Sequence, residues 1–219
     1  MSNKRLRAII FGPQGSGKGT QAQLLADRFD IPLIGAGELF RAEIADGTQL
    51  GKIAKKYVES GALAPDEIIN AIIGQQLKKY DLSRGFLLDG YPRNVEQAHH
   101  LDRITRINLA LQIRISDAEA IRRLTGRVQC VGCKQVYHLT DAPPIRPGIC
   151  ALCGKKLVRR DDDTEDLIRT RLATYHFMTE PLASYYRQRG VLLTVNGEQA
   201  IPYVFEDISK KLAKLRFTM

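Results

Sequence analysis

The chain has 219 residues, 44% hydrophobic and 26% charged, and lysine plus arginine outnumber the acids 33 to 24 for a net charge of +9. That is the composition of a soluble globular protein with ample chain for a buried core, in one large domain or two small ones. Met1–Arg7 is too short and polar to read as a signal peptide and no apolar run approaches a membrane span, so a cytoplasmic protein without a membrane partner is expected.

The basic balance suits nucleic acid, an acidic membrane or a highly charged small substrate. There is no polybasic tail, and several arginines fall within motifs, which favours small phosphate ligands. The first apolar run, Leu6–Phe11, reads as a strand. Gly12-Pro13-Gln14-Gly15-Ser16-Gly17-Lys18-Gly19-Thr20 follows it, then a helix-compatible stretch, Gln21–Phe29. Glycines let successive backbone N–H groups point into one concavity at the positive end of the next helix, where an anion sits. Lys18 can reach the outer phosphates and Thr20 offers a hydroxyl near a bound Mg²⁺. Gly19 separates the lysine from the hydroxyl residue, a departure from the generic pattern. The motif predicts binding of a nucleoside polyphosphate.

Further apolar runs, Ile31–Ile34, Gly85–Asp89, Leu109–Ile115 and Val191–Val195, alternate with helical patterns. Those patterns are Gly37–Asp46, Leu50–Ser60, Asp66–Tyr80, Val95–Ile104, Asp117–Leu124, Asp166–Gly190 and Glu198–Leu215. Strands apolar on both faces and separated by helices predict an α/β fold, a parallel sheet covered on both sides. Carboxyl ends of such strands line the ligand crevice, which turns Asp89 and Arg93, in Gly85–Arg93, toward the phosphate loop. Asp89 can hold water around Mg²⁺ and Arg93 can grip phosphate. The bland alternative is a strand-capping salt bridge.

Between Gly126 and Arg159 the rhythm breaks. Cys130-x2-Cys133 and Cys150-x2-Cys153 have the spacing of a four-thiolate zinc ribbon. Four protein ligands leave no open position, so the metal would be structural, supplying stability that about thirty residues cannot find in apolar burial. Disulfides or a redox pair are the alternatives. His99 and His100 project from different helix faces and are poor joint ligands; His138 and His176 read as hydrogen-bonding structural residues. Arg159–Asp163 precedes a helix bearing Arg169 and Arg171. It reads either as a solvated charged face or as a cationic cluster at a hinge.

Taken together, Gly12–Thr20, Gly85–Arg93 with Gln97, Leu124–Arg127, Val136-Tyr137-His138, Arg160–Asp163, Arg169–Leu172 with Tyr175-His176, and Val195-Asn196-Gly197 resemble the adenylate kinases, in their long form with a zinc-binding lid. The resemblance spans essentially the whole chain. It implies the P-loop nucleoside-monophosphate kinase fold: a five-stranded parallel core over 1–34, 65–126 and 165–219, a monophosphate-binding flap at 35–64, and a zinc-ribbon-like lid at 127–164. It also implies the reaction MgATP + AMP ⇌ 2 ADP in a monomer, with Mg²⁺ and a structural Zn²⁺ as cofactors and no nucleic-acid partner.

By the same resemblance Gly15, Ser16, Gly17, Lys18, Gly19 and Thr20 hold the ATP phosphates. Arg123, Arg127, Val136 and Tyr137 contact ATP, and Gln199 lies beside its adenine. Ala36, Arg41, Ala62, Leu63, Ala64, Gly90, Tyr91, Pro92, Arg93 and Gln97 face AMP. Lys18, Arg93, Arg127, Arg160 and Arg171 form the catalytic cationic cage, Arg160 and Arg171 also touching AMP, and Asp89 is associated with Mg²⁺. One departure stands out: the family's Ser-Thr-Gly-Asp before the flap arginine is Gly35-Ala36-Gly37-Glu38 here. Ala36, and Asn94 after Arg93, are similar to UMP/CMP kinases, whereas Gln97 and the large lid are not. AMP is therefore the expected acceptor, UMP or CMP the alternative. A zinc-ribbon nucleic-acid-binding protein switched by ATP is a more distant one, and Tyr137 is the only aromatic residue between the knuckles to support it.

Overall fold

A computed structural model of the chain describes residues 5–59, 65–160, 163–215 and 217. In chain order the elements are β1 (Arg7–Phe11), α1 (Lys18–Phe29), β2 (Leu33–Gly35), α2 (Ala36–Ala45), α3 (Gln49–Glu59), α4 (Asp66–Leu77), β3 (Phe86–Asp89), α5 (Val95–Ile104), β4 (Leu109–Arg114) and α6 (Asp117–Thr125). There follow β5 (Arg127–Cys130), β6 (Val136–His138), β7 (Leu157–Val158), α7 (Glu165–Thr174), α8 (Leu182–Gln188), β8 (Leu192–Asn196) and α9 (Ile201–Lys214).

The large sheet is five-stranded, in the order β2-β3-β1-β4-β8. Every neighbouring pair is parallel, with Ile10 opposite Asp89 and Leu111. Alternating side chains feed two cores. Ile9, Phe11, Phe86 and Leu88 point to one face, where Ile73, Leu101 and Tyr186 of α4, α5 and α8 cover them. Ala8, Ile10, Leu87 and Leu111 point to the other, under Leu25 of α1 and Ile208 and Leu212 of α9. This two-sided burial is why the strands read as unbroken apolar runs. The chain leaves β1 toward one edge and later fills the other, so the crevice opens at the carboxyl ends of β1 and its neighbours.

The pattern over 166–190 is not one helix. It is interrupted by a π-turn, Tyr175–Thr179, and restarts as α8 after Pro181. Proline has no N–H for the ladder, and the N–H of Glu180 instead reaches back to the carbonyl of Tyr175. The cysteine-bearing insertion forms a separate antiparallel sheet, β6-β5-β7, whose buried core among the described residues is Val128, Cys130, Cys150 and Leu157, with Tyr137 packed against it. No helix among the described residues is long and apolar enough to cross a membrane. The last residue of the helix expected over 50–60, Ser60, lies outside the described residues, and α3 is described to Glu59.

Candidate active site

The phosphate loop joins β1 to α1. Gly15 and Gly17 both take φ of +81°, a left-handed conformation that side chains resist, and it curls the loop over the helix start. No side chain caps α1 at Gly17, so its first backbone N–H groups stay available to a ligand. The Ser16 hydroxyl is buried without a hydrogen-bond partner, which suits a loop built around an anion. Gly19 and Thr20 form the exposed first turn of α1 beside it.

Lys18 leans back on the loop, its ammonium 3.4 Å from the carbonyl of Pro13. Burial lowers its pKa; the charge of Asp89 opposes that, and those of Arg93, Arg171 and Arg127 reinforce it. Four expected site residues thus converge electrostatically on a fifth. Asp89, at the carboxyl end of β3, has its pKa raised by burial, with Lys18 and Arg93 pulling the other way. Its Oδ1 is buried and unpartnered. A carboxylate oxygen held dry and unpaired beside a phosphate loop fits the outer sphere of a nucleotide-bound Mg²⁺.

The turn after β3 carries Arg93. Its N–H donates to Gln97 Oε1 at 2.7 Å, its Nε donates to the carbonyl of Gly90 at 2.9 Å, and its carbonyl accepts the Thr179 hydroxyl at 2.8 Å. Tyr91 is buried beneath the turn; its hydroxyl donates to Asn70 Oδ1 at 2.6 Å. Pro92, also buried, follows Tyr91 through a cis peptide bond. Gln97 is buried, so the group expected to face a base is already engaged within the protein. Ala36, at the start of α2, is buried, its Cβ 3.8 Å from where a side chain on Gly90 would begin. Arg41 lies exposed further along α2, its guanidinium over Gly37. Ala62, Leu63 and Ala64 lie outside the described residues, as do Asp161 and Asp162.

On the opposite side, α6 and the insertion supply arginines. Arg123 is held by Glu119 at 2.6 Å and reaches the Gly15 carbonyl at 3.4 Å, which places it over the phosphate loop. Arg127 grips Asp163 with two hydrogen bonds, 2.8 and 2.6 Å, and Arg171 stands 3.8 Å from the same carboxylate. Arg160 is half-buried where the insertion ends. Val136 is exposed in β6, whereas the Tyr137 hydroxyl turns inward, 3.4 Å from Cys150 Sγ and accepting from the N–H of Ala151. Gln199 sits after β8, its amide on Asp207 at 3.0 Å.

The ligand atoms of Cys130, Cys133, Cys150 and Cys153 all lie within 4.8 Å of one another. The closest pairs are Cys130–Cys153 at 3.3 Å and Cys133–Cys150 at 3.5 Å. A disulfide needs about 2.05 Å, whereas sulfurs around a tetrahedral zinc stand about 3.8 Å apart. The cluster fits a structural zinc, with no position left for substrate. His138 packs against Gly126 and accepts the N–H groups of Thr140 and Asp141 at Nδ1; His176 bridges Glu180 and Asp117. Both form structural hydrogen bonds, the role read for them in the sequence. Asp66, Thr179 and Glu119, none of them singled out by motif, and Asn94, noted in the sequence only for its likeness to UMP/CMP kinases, hold the turn and the arginines in place. The sequence signal for them is weak: an acid at a helix start, a polar residue before a helix.

A five-stranded parallel sheet, a phosphate loop at its switch point and arginines around one lysine define a P-loop phosphotransferase acting on nucleotides. The family model for adenylate kinase matches residues 10–191. The adenylate kinase of Thermoanaerobacter sp. (strain X514) is 43% identical over 212 residues, 94% of this chain and 98% of that protein. That of Methanothrix thermoacetophila is 43% identical over 216 residues, 96% and 100% of the two chains, and that of Acidothermus cellulolyticus 44% over 216 residues, 96% and 98%. The chain belongs to the adenylate kinase family.

Proposed function

We propose that this chain catalyses reversible phosphoryl transfer from ATP to AMP, giving two ADP. The observation that carries the reading is the glycine loop with its uncapped helix start, Arg123 3.4 Å from the Gly15 carbonyl and Asp89 beside Gly19, where the charges of Asp89, Arg93, Arg127 and Arg171 all act on Lys18. In the forward direction an AMP phosphate oxygen bonds to the γ-phosphorus as the bond to the β,γ-bridging oxygen breaks, and ADP departs with that electron pair. Little covalent help is needed; the chain must hold two nucleotides in line and offset charge on the moving group. Gly15–Thr20 hold the donor phosphates, with Arg123 and Arg127 closing from the α6 side beside Val136, Tyr137 and Gln199. Arg41, the 62–64 backbone, the Gly90–Arg93 turn and Gln97 take the acceptor. Lys18, Arg93, Arg160 and Arg171 surround the transferred group. When bound, Mg²⁺ neutralises charge on the polyphosphate, and Asp89 would hold its water shell. Residues 35–64 act as a flap and 127–164 as a lid that excludes water, so that the γ-phosphate meets AMP and not solvent. The protein works as a cytoplasmic monomer.

Ala36 favours a second reading with UMP or CMP as acceptor, because the hydroxyl that family members offer there is missing. A coupled assay of ADP formation from ATP with AMP, UMP, CMP and GMP decides between them. AMP is expected to give the highest kcat/KM; preference for a pyrimidine monophosphate would replace AMP in the assignment.

A further inference from the structure

Asp66 opens α4, the helix that follows the flap. Its two carboxylate oxygens accept Asn94 Nδ2 at 3.1 and 2.9 Å, and Oδ1 also accepts Gln97 Nε2 at 2.7 Å. On its other side the Gln97 amide accepts the N–H of Arg93 at 2.7 Å. These partners dictate which way the amide points. A backbone N–H only donates and a carboxylate only accepts, so a reversed Gln97 would set donor against donor and oxygen against carboxylate. Asn94 is fixed by the same logic, its Oδ1 accepting the N–H of Gln97 at 2.7 Å while its Nδ2 faces Asp66.

We propose that Asp66 determines base selectivity, by locking the Gln97 amide in the orientation that reads a 6-amino purine and rejects a 6-oxo purine. The inference rests on the reading of Gln97 as the group that faces the base of the monophosphate. Among the described residues, one N–H of Nε2 and one lone pair of Oε1 have no further partner. Adenine offers a matching edge, a donor at N6 beside an acceptor at N1. A 6-oxo purine reverses both, an acceptor at O6 beside a donor at N1. With the ring held by its sugar and phosphate, the 6-oxo edge meets like against like. Turning the amide over would relieve that clash only by breaking the hydrogen bonds to Arg93 and Asp66, the second of them charge-assisted. Cytosine shares the amino-and-acceptor pattern of adenine, so this device sorts amino from oxo bases; discrimination against CMP falls to the size of the base pocket.

The test is kcat/KM for AMP and for inosine monophosphate, in the native chain, Asp66→Asn, Asp66→Ser, Gln97→Ala and the double variant Asp66→Asn/Gln97→Ala, with melting temperatures alongside. The AMP:IMP ratio should fall roughly five- to tenfold in Asp66→Asn, because a neutral partner holds the amide less firmly than a charged one. It should fall in Asp66→Ser as well, and at least as far in Gln97→Ala. In the double variant the Asp66 change should lower it no further, the signature of two residues acting through one contact. If Gln97→Ala collapses the ratio while both Asp66 variants keep it and merely melt earlier or turn over more slowly, Asp66 is structural and the proposal fails while Gln97 stands. If Gln97→Ala preserves the ratio, the reading of Gln97 fails and takes the proposal with it. A native chain that does not phosphorylate AMP overturns the functional assignment itself.

Discussion

Asp163 accepts both ends of the Arg127 guanidinium, at 2.8 and 2.6 Å, and its side chain is 1% exposed. Arg171 stands 3.8 Å from the same Oδ1 that accepts the shorter of these bonds. Two arginines expected to meet phosphate are thus held by one internal carboxylate. Removing that charge leaves Arg127, only 19% exposed, without the carboxylate that grips it. Asp163→Asn should cost about 1–3 kcal/mol of stability in nucleotide-free protein. Added ADP should then raise the melting temperature of the variant by more than that of the native chain, since its phosphates restore the missing charge. Equal shifts in both proteins would show that the carboxylate and the nucleotide do not share these arginines.

Lys18 and Arg93 are the two cations proposed to meet the transferring group, and the charge of Asp89 acts on both. Lys18→Ala or Arg93→Ala should lower kcat about 10²-fold or more, because each removes charge stabilisation from the transferring group. Near-native turnover in either folded variant would sink the kinase assignment.

Among the described residues the insertion has a core of four buried residues, two of them cysteines of the candidate zinc site, which is too small to fold on its own. Cys130→Ser or Cys150→Ser should lower the melting temperature by roughly 5–10 °C, scaling a loss of a few kcal/mol over a chain of this size. Substantial activity should survive in the cold, because the cluster has no open coordination position for substrate. Metal analysis should find close to one zinc per chain; less than about half an equivalent in protein purified without chelator would contradict the assignment.

The sheet and the phosphate loop are legible in sequence because both depend on local pattern. Ala8–Phe11 is buried on both faces and therefore reads as one apolar run, and the loop announces itself through glycines beside a lysine. The four cysteines are legible for the same reason, since each knuckle closes over two intervening residues. The networks behind the site are not. Asn94 reaches Asp66 across 28 positions and Thr179 reaches Arg93 across 86, with no periodicity to mark either pair. The π-turn escapes too: Tyr175–Thr179 keeps a helical pattern of side chains, and Pro181 alone hints at the break. Gln97 shows the limit most clearly. Its presence is readable from the motif, but the direction of its amide follows from partners that only the fold brings together.

His176 gives the fold a pH-dependent tie. Its ring nitrogens lie 2.8 Å from Glu180 and 2.9 Å from Asp117, linking the π-turn to the start of α6. The hydrogen bond to Glu180, then that to Asp117, raises its pKa above the ordinary 6.5. The folded chain therefore holds the proton more tightly than the unfolded one. The stabilisation is complete below pH 6.5 and is lost as pH climbs through the raised folded value. The side chain is 43% exposed, so screening keeps the effect under about 1 kcal/mol. Urea midpoints should show His176→Gln less stable than the native chain at pH 6, with the gap closing by pH 9. A gap independent of pH would mean that packing, not charge, accounts for it.

The same π-turn positions Arg93. Thr179 donates its hydroxyl to the Arg93 carbonyl at 2.8 Å, opposite the Gln97 bond to the Arg93 N–H, so the main chain of this residue is held from both sides. Thr179→Val keeps the shape of the side chain and removes the donor, leaving a half-buried carbonyl unpaired and one side of the turn free to shift. Because a displacement of about an ångström at a phosphoryl-transfer site can cost up to roughly 100-fold, a drop in kcat of about tenfold is a moderate expectation. KM for AMP should change less than kcat, since the other acceptor contacts remain. Thr179→Ser restores the hydroxyl and should restore kcat, which a purely volumetric role would not predict. Native kcat in a well-folded Thr179→Val would show that the Gln97 and Gly90 contacts suffice to hold Arg93, and that the π-turn serves the fold alone.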